Sequence, residues 1–82
     1  MAAKRTAEPL KRLYQVRFTQ KHEDGTVVER FEGPFTHLAS AKARRTLGLN
    51  EHKAGQLRGS MWYTFDLEVR VEQAEIDWEA VA

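Results

Sequence analysis

A run of strict alternation near the C-terminus constrains the fold more than any other feature of this 82-residue chain. In MWYTFDLEVRVE, residues 61–72, apolar side chains occupy every second position from Met61 to Val71. Because side chains in a strand have a period of two, this run predicts a β-strand with one buried face and one solvated face. The alternation resumes one step out of phase after Val71, which predicts a bulge or bend near Gln73.

The segment LYQVRFTQKHEDGTVVERFEG, residues 13–33, predicts a β-hairpin. Asp24-Gly25 suits a two-residue turn, because glycine adopts a positive φ without steric cost and aspartate tolerates one. That turn would place Phe18 opposite Phe31. The resulting register predicts one buried face, which carries Tyr14, Val16, Phe18, Val27 and Phe31.

A helix is predicted after the hairpin. Gly33-Pro34 should end the second strand, and Thr36 can cap the first free amides of a helix. Gly48 is placed to end that helix in a left-handed conformation. Between these ends, an apolar stripe lined by small side chains should cover the sheet, and it comprises Phe35, Ala39, Ala43 and Leu47, with Leu38 alongside.

The element order is therefore strand, strand, helix, strand. Such a chain buries its apolar faces by packing one helix on one face of a three-stranded antiparallel sheet, an α+β fold of ββαβ order. The predicted domain spans residues 13–78. Residues 1–12 are expected to form a flexible basic arm, and residues 79–82 a tail.

Size and composition restrict the function. A core built from 82 residues is too small to enclose an active site, and a content of 41% hydrophobic and 30% charged residues is typical of a folded domain. Cysteine is absent, so no disulfide or cysteine metal site can form. No segment has the length and hydropathy of a signal peptide or a membrane span, which favours a cytoplasmic protein.

Residues that carry chemistry are sparse. His22, His37 and His52 lack the spacing of a helical metal site and are expected at the surface. No nucleophile motif and no phosphate-binding loop occurs. We therefore expect no enzyme activity, no catalytic residue, no metal and no cofactor.

Charge is segregated along the chain. Residues 1–21 carry a net +5 and residues 36–60 a net +4, whereas residues 22–35 carry −3 and residues 61–82 carry −5, so the whole chain is only +1. Either the blocks neutralise one another across neighbouring elements, or they form a cationic face beside an acidic one. The second arrangement would steer a charged protein or a nucleic acid.

A helix-turn-helix is suggested by ARRTLGLNEHKAGQLR, residues 43–58, in which apolar or small residues are spaced around Gly48. Two features oppose it: Arg44 occupies a position where a small residue is usual, and Gly55 would lie inside the second helix. A nucleic-acid-binding module that uses the basic helix and the N-terminal arm is the alternative function.

Trp62 begins the polar face of the third strand, where a large aromatic side chain requires either an intramolecular cover or a partner. With the basic residues it defines the predicted partner-binding surface, for protein or nucleic acid: Lys42, Arg44, Arg45, Lys53, Arg58 and Trp62. A homodimer through an exposed strand edge is also expected, because three strands leave two open edges.

The layout of YQVRF, DGTVVERFEG, GPFTHLASAKARR and LEVRVEQAEIDWEAV resembles that of small proteins encoded by bacteriophages of actinobacteria. The resemblance covers about residues 13–81 and is one of layout rather than of a signature motif. It implies a non-enzymatic accessory protein that binds a host or phage protein in the host cytoplasm, and it transfers no catalytic residue.

Overall fold

The computed structural model describes residues 8–59 and 64–82. Its elements are β1 (Arg12–Lys21), β2 (Val27–Phe35), α1 (Leu38–Leu57) and β3 (Asp66–Glu75). The sheet is antiparallel with strand order β2-β1-β3, and α1 packs on one of its faces. The predicted α+β fold of ββαβ order is confirmed.

The hairpin turn differs from the predicted one. The His22 amide donates to the Thr26 carbonyl at 2.9 Å and the Gly25 amide donates to the His22 carbonyl at 3.0 Å, so the loop has three residues. Gly25 has a φ of 87°, but Asp24 does not have a positive φ. Instead, the Asp24 carboxylate accepts a hydrogen bond from the Thr26 amide at 2.8 Å. Hydrogen bonding by the Thr26 side chain, and secondly by its amide, holds the pKa of Asp24 below its ordinary value.

The extra loop residue shifts the register of β2 by one. Phe18 lies opposite Arg30, and Arg17 lies opposite Phe31. Directly opposed residues share a face, and a shift of one residue moves every side chain of a strand to the other face. Phe31 therefore lies on the uncovered face of the sheet, 49% exposed, with the Arg17 guanidinium 5.1 Å from its ring centroid. The predicted burial of Val27 and Phe31 is wrong.

The irregularity of the sheet lies in β2 rather than in β3. The β1–β3 register is uniform from Arg12↔Glu75 to Lys21↔Asp66, so the bulge predicted near Gln73 is absent. A register shift occurs where β2 passes Gly33-Pro34, and the strand continues to Phe35 instead of ending there.

The C-terminal segment extends the β1–β3 pairing. The Ile76 amide donates to the Lys11 carbonyl at 2.8 Å, and the Trp78 indole donates to the Leu10 carbonyl, also at 2.8 Å. These bonds tie down residues 10–12, which the sequence analysis assigned to the flexible arm; residues 1–7 lie outside the described part of the chain.

The helix is longer than predicted at its C-terminal end. It begins at Leu38 after an N-cap residue, His37, whose side chain makes no capping hydrogen bond, and it passes through Gly48 to Leu57. Thr36 is therefore not the N-cap, and Gly48 does not end the helix. Gly48 has another role, because a Cβ atom there would lie only 2.6 Å from Cε1 of Phe18. Glycine lets α1 approach the sheet closely at this point.

Within residues 8–59 and 64–82 the core is small. Its buried apolar residues there are Val16, Phe18, Ala41 and Val69, and the half-buried apolar residues packed against them are Tyr14, Phe35, Leu49, Leu67 and Val71. The predicted core face of β3 is confirmed at Leu67, Val69 and Val71. Residues 61–63, predicted to begin this strand, lie outside the described part of the chain, and β3 begins at Asp66.

Candidate protein-binding surface

The side of α1 that faces away from the sheet is largely apolar. We call it the outer stripe, and it consists of Ala39, Ala43, Leu47, Asn50, Ala54 and Leu57. With 3.6 residues per turn, these six positions fall within about 80° of one another around the helix. All six are exposed, and the exposed fractions of Leu47 and Leu57 are 53% and 79%. Because a surface helix normally presents polar residues to solvent, the outer stripe is apolar surface available to a partner.

The sequence predicted that Phe35, Ala39, Ala43 and Leu47 together cover the sheet. Phe35, which lies in β2, does pack against the core, but the prediction is wrong for the helical residues. Ala39, Ala43 and Leu47 are exposed, whereas the buried positions of the helix are Ala41, Gly48, His52 and Gly55. The face of α1 that meets the sheet is the one that carries Gly48. There the Phe18 ring fits closely against the helix backbone.

A shallow groove follows the N-terminal half of the outer stripe. Its lining residues are Ala39, Lys42, Ala43, Thr46, Leu47 and Asn50. Lys42 and Lys53 are about three helical turns apart and therefore lie on the same flank of the stripe, and both are exposed. An apolar surface with one cationic flank is complementary to an amphipathic segment that carries acidic residues.

Arg44 is bound within the fold rather than presented to solvent. Its guanidinium donates two hydrogen bonds to Glu32 of β2, from Nε to Oε2 and from Nη2 to Oε1, the second at 3.2 Å. The Arg44 hydrogen bond lowers the pKa of Glu32 from its ordinary value of 4.5, against the opposing effect of burial. The same bond raises the pKa of Arg44. Arg44 and Arg30 also contact the Phe18 ring, at 5.1 and 4.6 Å from its centroid.

Arg45 extends toward the opposite side of the sheet. Its Nε donates to the carbonyl oxygen of Val69, in β3, at 3.0 Å. Consecutive helical residues point about 100° apart, so Arg44 reaches β2 while Arg45 reaches β3. Together these two arginines fix the helix across the sheet.

The predicted site residues are consequently distributed over several surfaces. Lys42 and Lys53 share a flank of the outer stripe, Arg44 and Arg45 contact different strands, and Arg58 is exposed just after the end of α1. Trp62 lies outside the described residues. Because residues 43–57 form one uninterrupted helix, the helix-turn-helix geometry suggested by the sequence is wrong.

The histidines do not form a metal site. In the described ranges 8–59 and 64–82, no group of three His, Cys, Asp or Glu side chains is placed to hold a metal ion. His52, expected at the surface, is buried within α1, and its ring centroid lies 4.8 Å from that of Phe65. His22 contacts the same ring at 5.3 Å, so these two histidines pack around an aromatic side chain.

Comparison with known proteins identifies no relative: no family model, no curated protein and no solved structure matches this chain. No helix within the described residues combines the length and the hydropathy needed to span a membrane.

We expect the substitution Glu32→Gln to lower the free energy of unfolding at pH 7 by about 1 kcal/mol, because it weakens a half-buried pair between charged groups. The folded-state pKa of Glu32 is depressed, so the pair stabilises the protein above pH 4.5 and this stabilisation is lost as the pH falls through the folded-state value. Urea unfolding of both proteins at pH 7 and pH 3 measures the difference.

The matched control is Glu29→Gln, at an exposed position of the same strand. It should change stability by less than about 0.5 kcal/mol at either pH. A Glu32→Gln effect of equal size at pH 7 and pH 3 would contradict the role assigned to the carboxylate.

Proposed function

We propose that this chain is a non-enzymatic accessory protein that binds another protein through the outer stripe of α1. The single observation that carries the proposal is the exposed apolar surface on a helix face where solvated charge is normal. Leu47, at its centre, is 53% exposed. Exposed contiguous apolar surface of this kind is typical of sites that bind proteins.

The chemistry of the flank specifies the kind of partner. Lys42 and Lys53 make no ion pair among the described residues and lie along one side of the apolar stripe. They favour a partner segment that is helical, apolar on one side and acidic at the adjoining edge. The layout resemblance to proteins of actinobacterial phages supports a host or phage protein as the partner, in the host cytoplasm.

The nucleic-acid alternative has weaker support. The uninterrupted helix provides no second helix for a major groove, and Arg44 and Arg45 already bind within the fold. Their engagement leaves Lys42, Lys53 and Arg58 as the cations of α1 and its C-terminal end whose side chains make no hydrogen bond or ion pair among the described residues. Three cations are fewer phosphate contacts than tight electrostatic binding of duplex DNA requires.

A pull-down from nuclease-treated lysate of an actinobacterial host tests the proposal with two matched variants. Leu47→Glu places a charge on the outer stripe, and Gln56→Glu places the same charge on another side of α1, where the residue is exposed. One stoichiometric protein should be recovered by the wild type and by Gln56→Glu, but not by Leu47→Glu, with circular dichroism showing that all three are folded.

Charge reversal provides the second measurement. Lys42→Glu combined with Lys53→Glu should weaken binding of that protein on the order of tenfold. Recovery of the same protein by Leu47→Glu would overturn the proposal, as would duplex DNA binding that weakens steeply with salt in a gel-shift titration.

A further inference from the structure

The two free edges of the sheet differ in what covers them. In an antiparallel pair, hydrogen-bonded and non-hydrogen-bonded positions alternate. The Ile76 amide donates to the Lys11 carbonyl, so even-numbered residues at this end of the chain bond to β1. Because the register is uniform along β3, its odd-numbered residues direct their backbone groups away from β1. Val69 is one of them, and its outward carbonyl already accepts the hydrogen bond from Arg45. Near the middle of the β3 edge, a side chain of α1 therefore occupies a backbone group that another strand would need for pairing.

At the β2 edge, no side chain of the described residues bonds to the outward backbone groups. The His22 amide donates to the Thr26 carbonyl, and with this register the even-numbered residues of β2 bond to β1. Val27, Glu29 and Phe31 therefore direct their amides and carbonyls to the free edge. Within residues 8–59 and 64–82 no hydrogen bond reaches those groups. This edge is a template for another strand.

The side chains along the β2 edge of one copy are complementary to those of the same edge in a second copy. If a second copy pairs antiparallel with Phe31 opposite its own counterpart, Arg30 of each copy lies opposite Glu32 of the other. The two half-exposed Phe31 rings then meet on the uncovered face of the sheet. On the other face, Arg30 of each copy lies beside Glu32 of the other copy, a carboxylate that also pairs with Arg30 and Arg44 of its own chain. Aromatic pairs and opposite charges at directly opposed positions both stabilise a sheet.

Charge excludes the neighbouring symmetric registers. Two β2 edges form hydrogen bonds only when the odd-numbered residues of one copy, which point outward, lie opposite odd-numbered residues of the other. Each allowed symmetric register then places one residue directly opposite its own counterpart, and the registers differ in which residue that is. Centring on Glu29, Arg30 or Glu32 places two like charges directly opposite each other, which is destabilising. Among the four central positions from Glu29 to Glu32, only Phe31 gives opposite charges at the flanking positions.

We propose that β2 is a homodimerisation edge, at which two copies of this chain pair antiparallel about Phe31 to form a continuous six-stranded sheet. The bulge at Gly33-Pro34 limits regular pairing to about five residues of each copy. An interface this short favours a concentration-dependent dimer over an obligate one. The dimer leaves the outer stripe of α1 free, so this inference does not depend on the proposed function.

Sedimentation velocity over a concentration series tests the dimer directly. The wild type should show a reversible monomer–dimer equilibrium, and Arg30→Glu should be monomeric because the new carboxylate faces Glu32 of the second copy. Glu29→Pro removes an outward amide and should also weaken the dimer at least tenfold. The matched control Gln73→Pro removes an outward amide from the β3 edge and should leave the dimer intact.

Cysteine crosslinking tests the register, and the chain contains no native cysteine that would interfere. Phe31→Cys places two thiols at directly opposed positions, where the Cα atoms of a hydrogen-bonded pair lie about 5.5 Å apart, a distance that a disulfide spans. Mild oxidation should crosslink it. Val27→Cys, on the same face and strand, should remain uncrosslinked. In the proposed dimer the two Val27 positions lie eight residues apart along the paired strands, a distance of about 26 Å.

Three results from these measurements would overturn the proposal, and a comparison with the Leu47→Glu variant provides a fourth. They are a wild type that stays monomeric to millimolar concentration, a dimer that survives Arg30→Glu, and equal crosslinking of Val27→Cys and Phe31→Cys. A dimer that is lost in Leu47→Glu but retained in Arg30→Glu would assign self-association to the outer stripe and would likewise overturn it.

Discussion

Replacing Phe18 with alanine should lower the free energy of unfolding by about 3–5 kcal/mol, the usual cost of removing a buried phenylalanine side chain. Phe18 is 2% exposed, and it packs beneath Gly48 of the helix. The described part of the chain has four buried apolar residues, so little other core remains there to compensate. Urea denaturation followed by circular dichroism should give a strongly lowered midpoint or no cooperative transition.

Phe31→Ala provides the matched control for this prediction. The substitution is the same and the strand is adjacent, but Phe31 is 49% exposed on the uncovered face. The expected loss is about 1 kcal/mol or less, measured at a low protein concentration where self-association does not contribute. Equal losses at the two positions would show that β2 has the register of the two-residue turn, with both rings in the core. Phe18→Leu keeps a measurable transition if the alanine variant does not fold.

Replacing Gly48 with alanine should also destabilise the protein, by about 1–2 kcal/mol, although alanine in place of glycine normally gains about 1 kcal/mol inside a helix. The new Cβ would lie 2.6 Å from Cε1 of Phe18. The ring is confined by the core and cannot move aside without displacing its neighbours. The measurement is again the free energy of unfolding.

A double-mutant cycle separates these two effects on the helix. In a Phe18→Leu background, the substitution Gly48→Ala should be neutral or stabilising, because the ring that the methyl group would meet is gone and the helix propensity gain remains. Destabilisation of equal size in both backgrounds would rule out the close approach of α1 to Phe18 as the reason for glycine at this position.

The fold is predictable from the sequence where a pattern depends on one element alone. The alternation through Leu67, Val69 and Val71 requires only that one face of a strand be buried, and these residues do face the core. The order of elements is likewise a local property, since each hydrophobic period specifies its element without reference to the others. The fold class followed from that order by the requirement to bury apolar faces.

The predicted hairpin register is wrong because two local signals compete there at similar energy. A two-residue and a three-residue loop both accept glycine, and here the Asp24 side chain bonds to the Thr26 amide within the longer loop. That single extra residue reverses the faces of β2 and exposes Phe31. The reversal also brings Glu32 to the helix side, where it binds Arg44. No periodicity in β2 itself distinguishes these registers.

The candidate site was predicted in part. The sequence identified Lys42 and Lys53 as exposed cations and Ala39, Ala43 and Leu47 as an apolar stripe, but it assigned the stripe to the sheet. One signal pointed to the other face: Ala41, Gly48 and Gly55 recur at intervals of seven residues, which is typical of a face in close contact. A hydropathy pattern gives more weight to the bulky Leu47 than to these small residues, and it therefore favoured the other face of the helix.

The elements and their order follow from local sequence patterns, because each strand period and each helix period occurs within a single segment. Which face of α1 meets the sheet, and which face of β2 is covered, is set by the packing of the elements against one another. Both choices depend on contacts between residues far apart in the chain, above all the fit of the Phe18 ring against Gly48. Hydrophobicity favours the burial of an apolar side chain, but the steric fit between elements decides which of two apolar faces is buried.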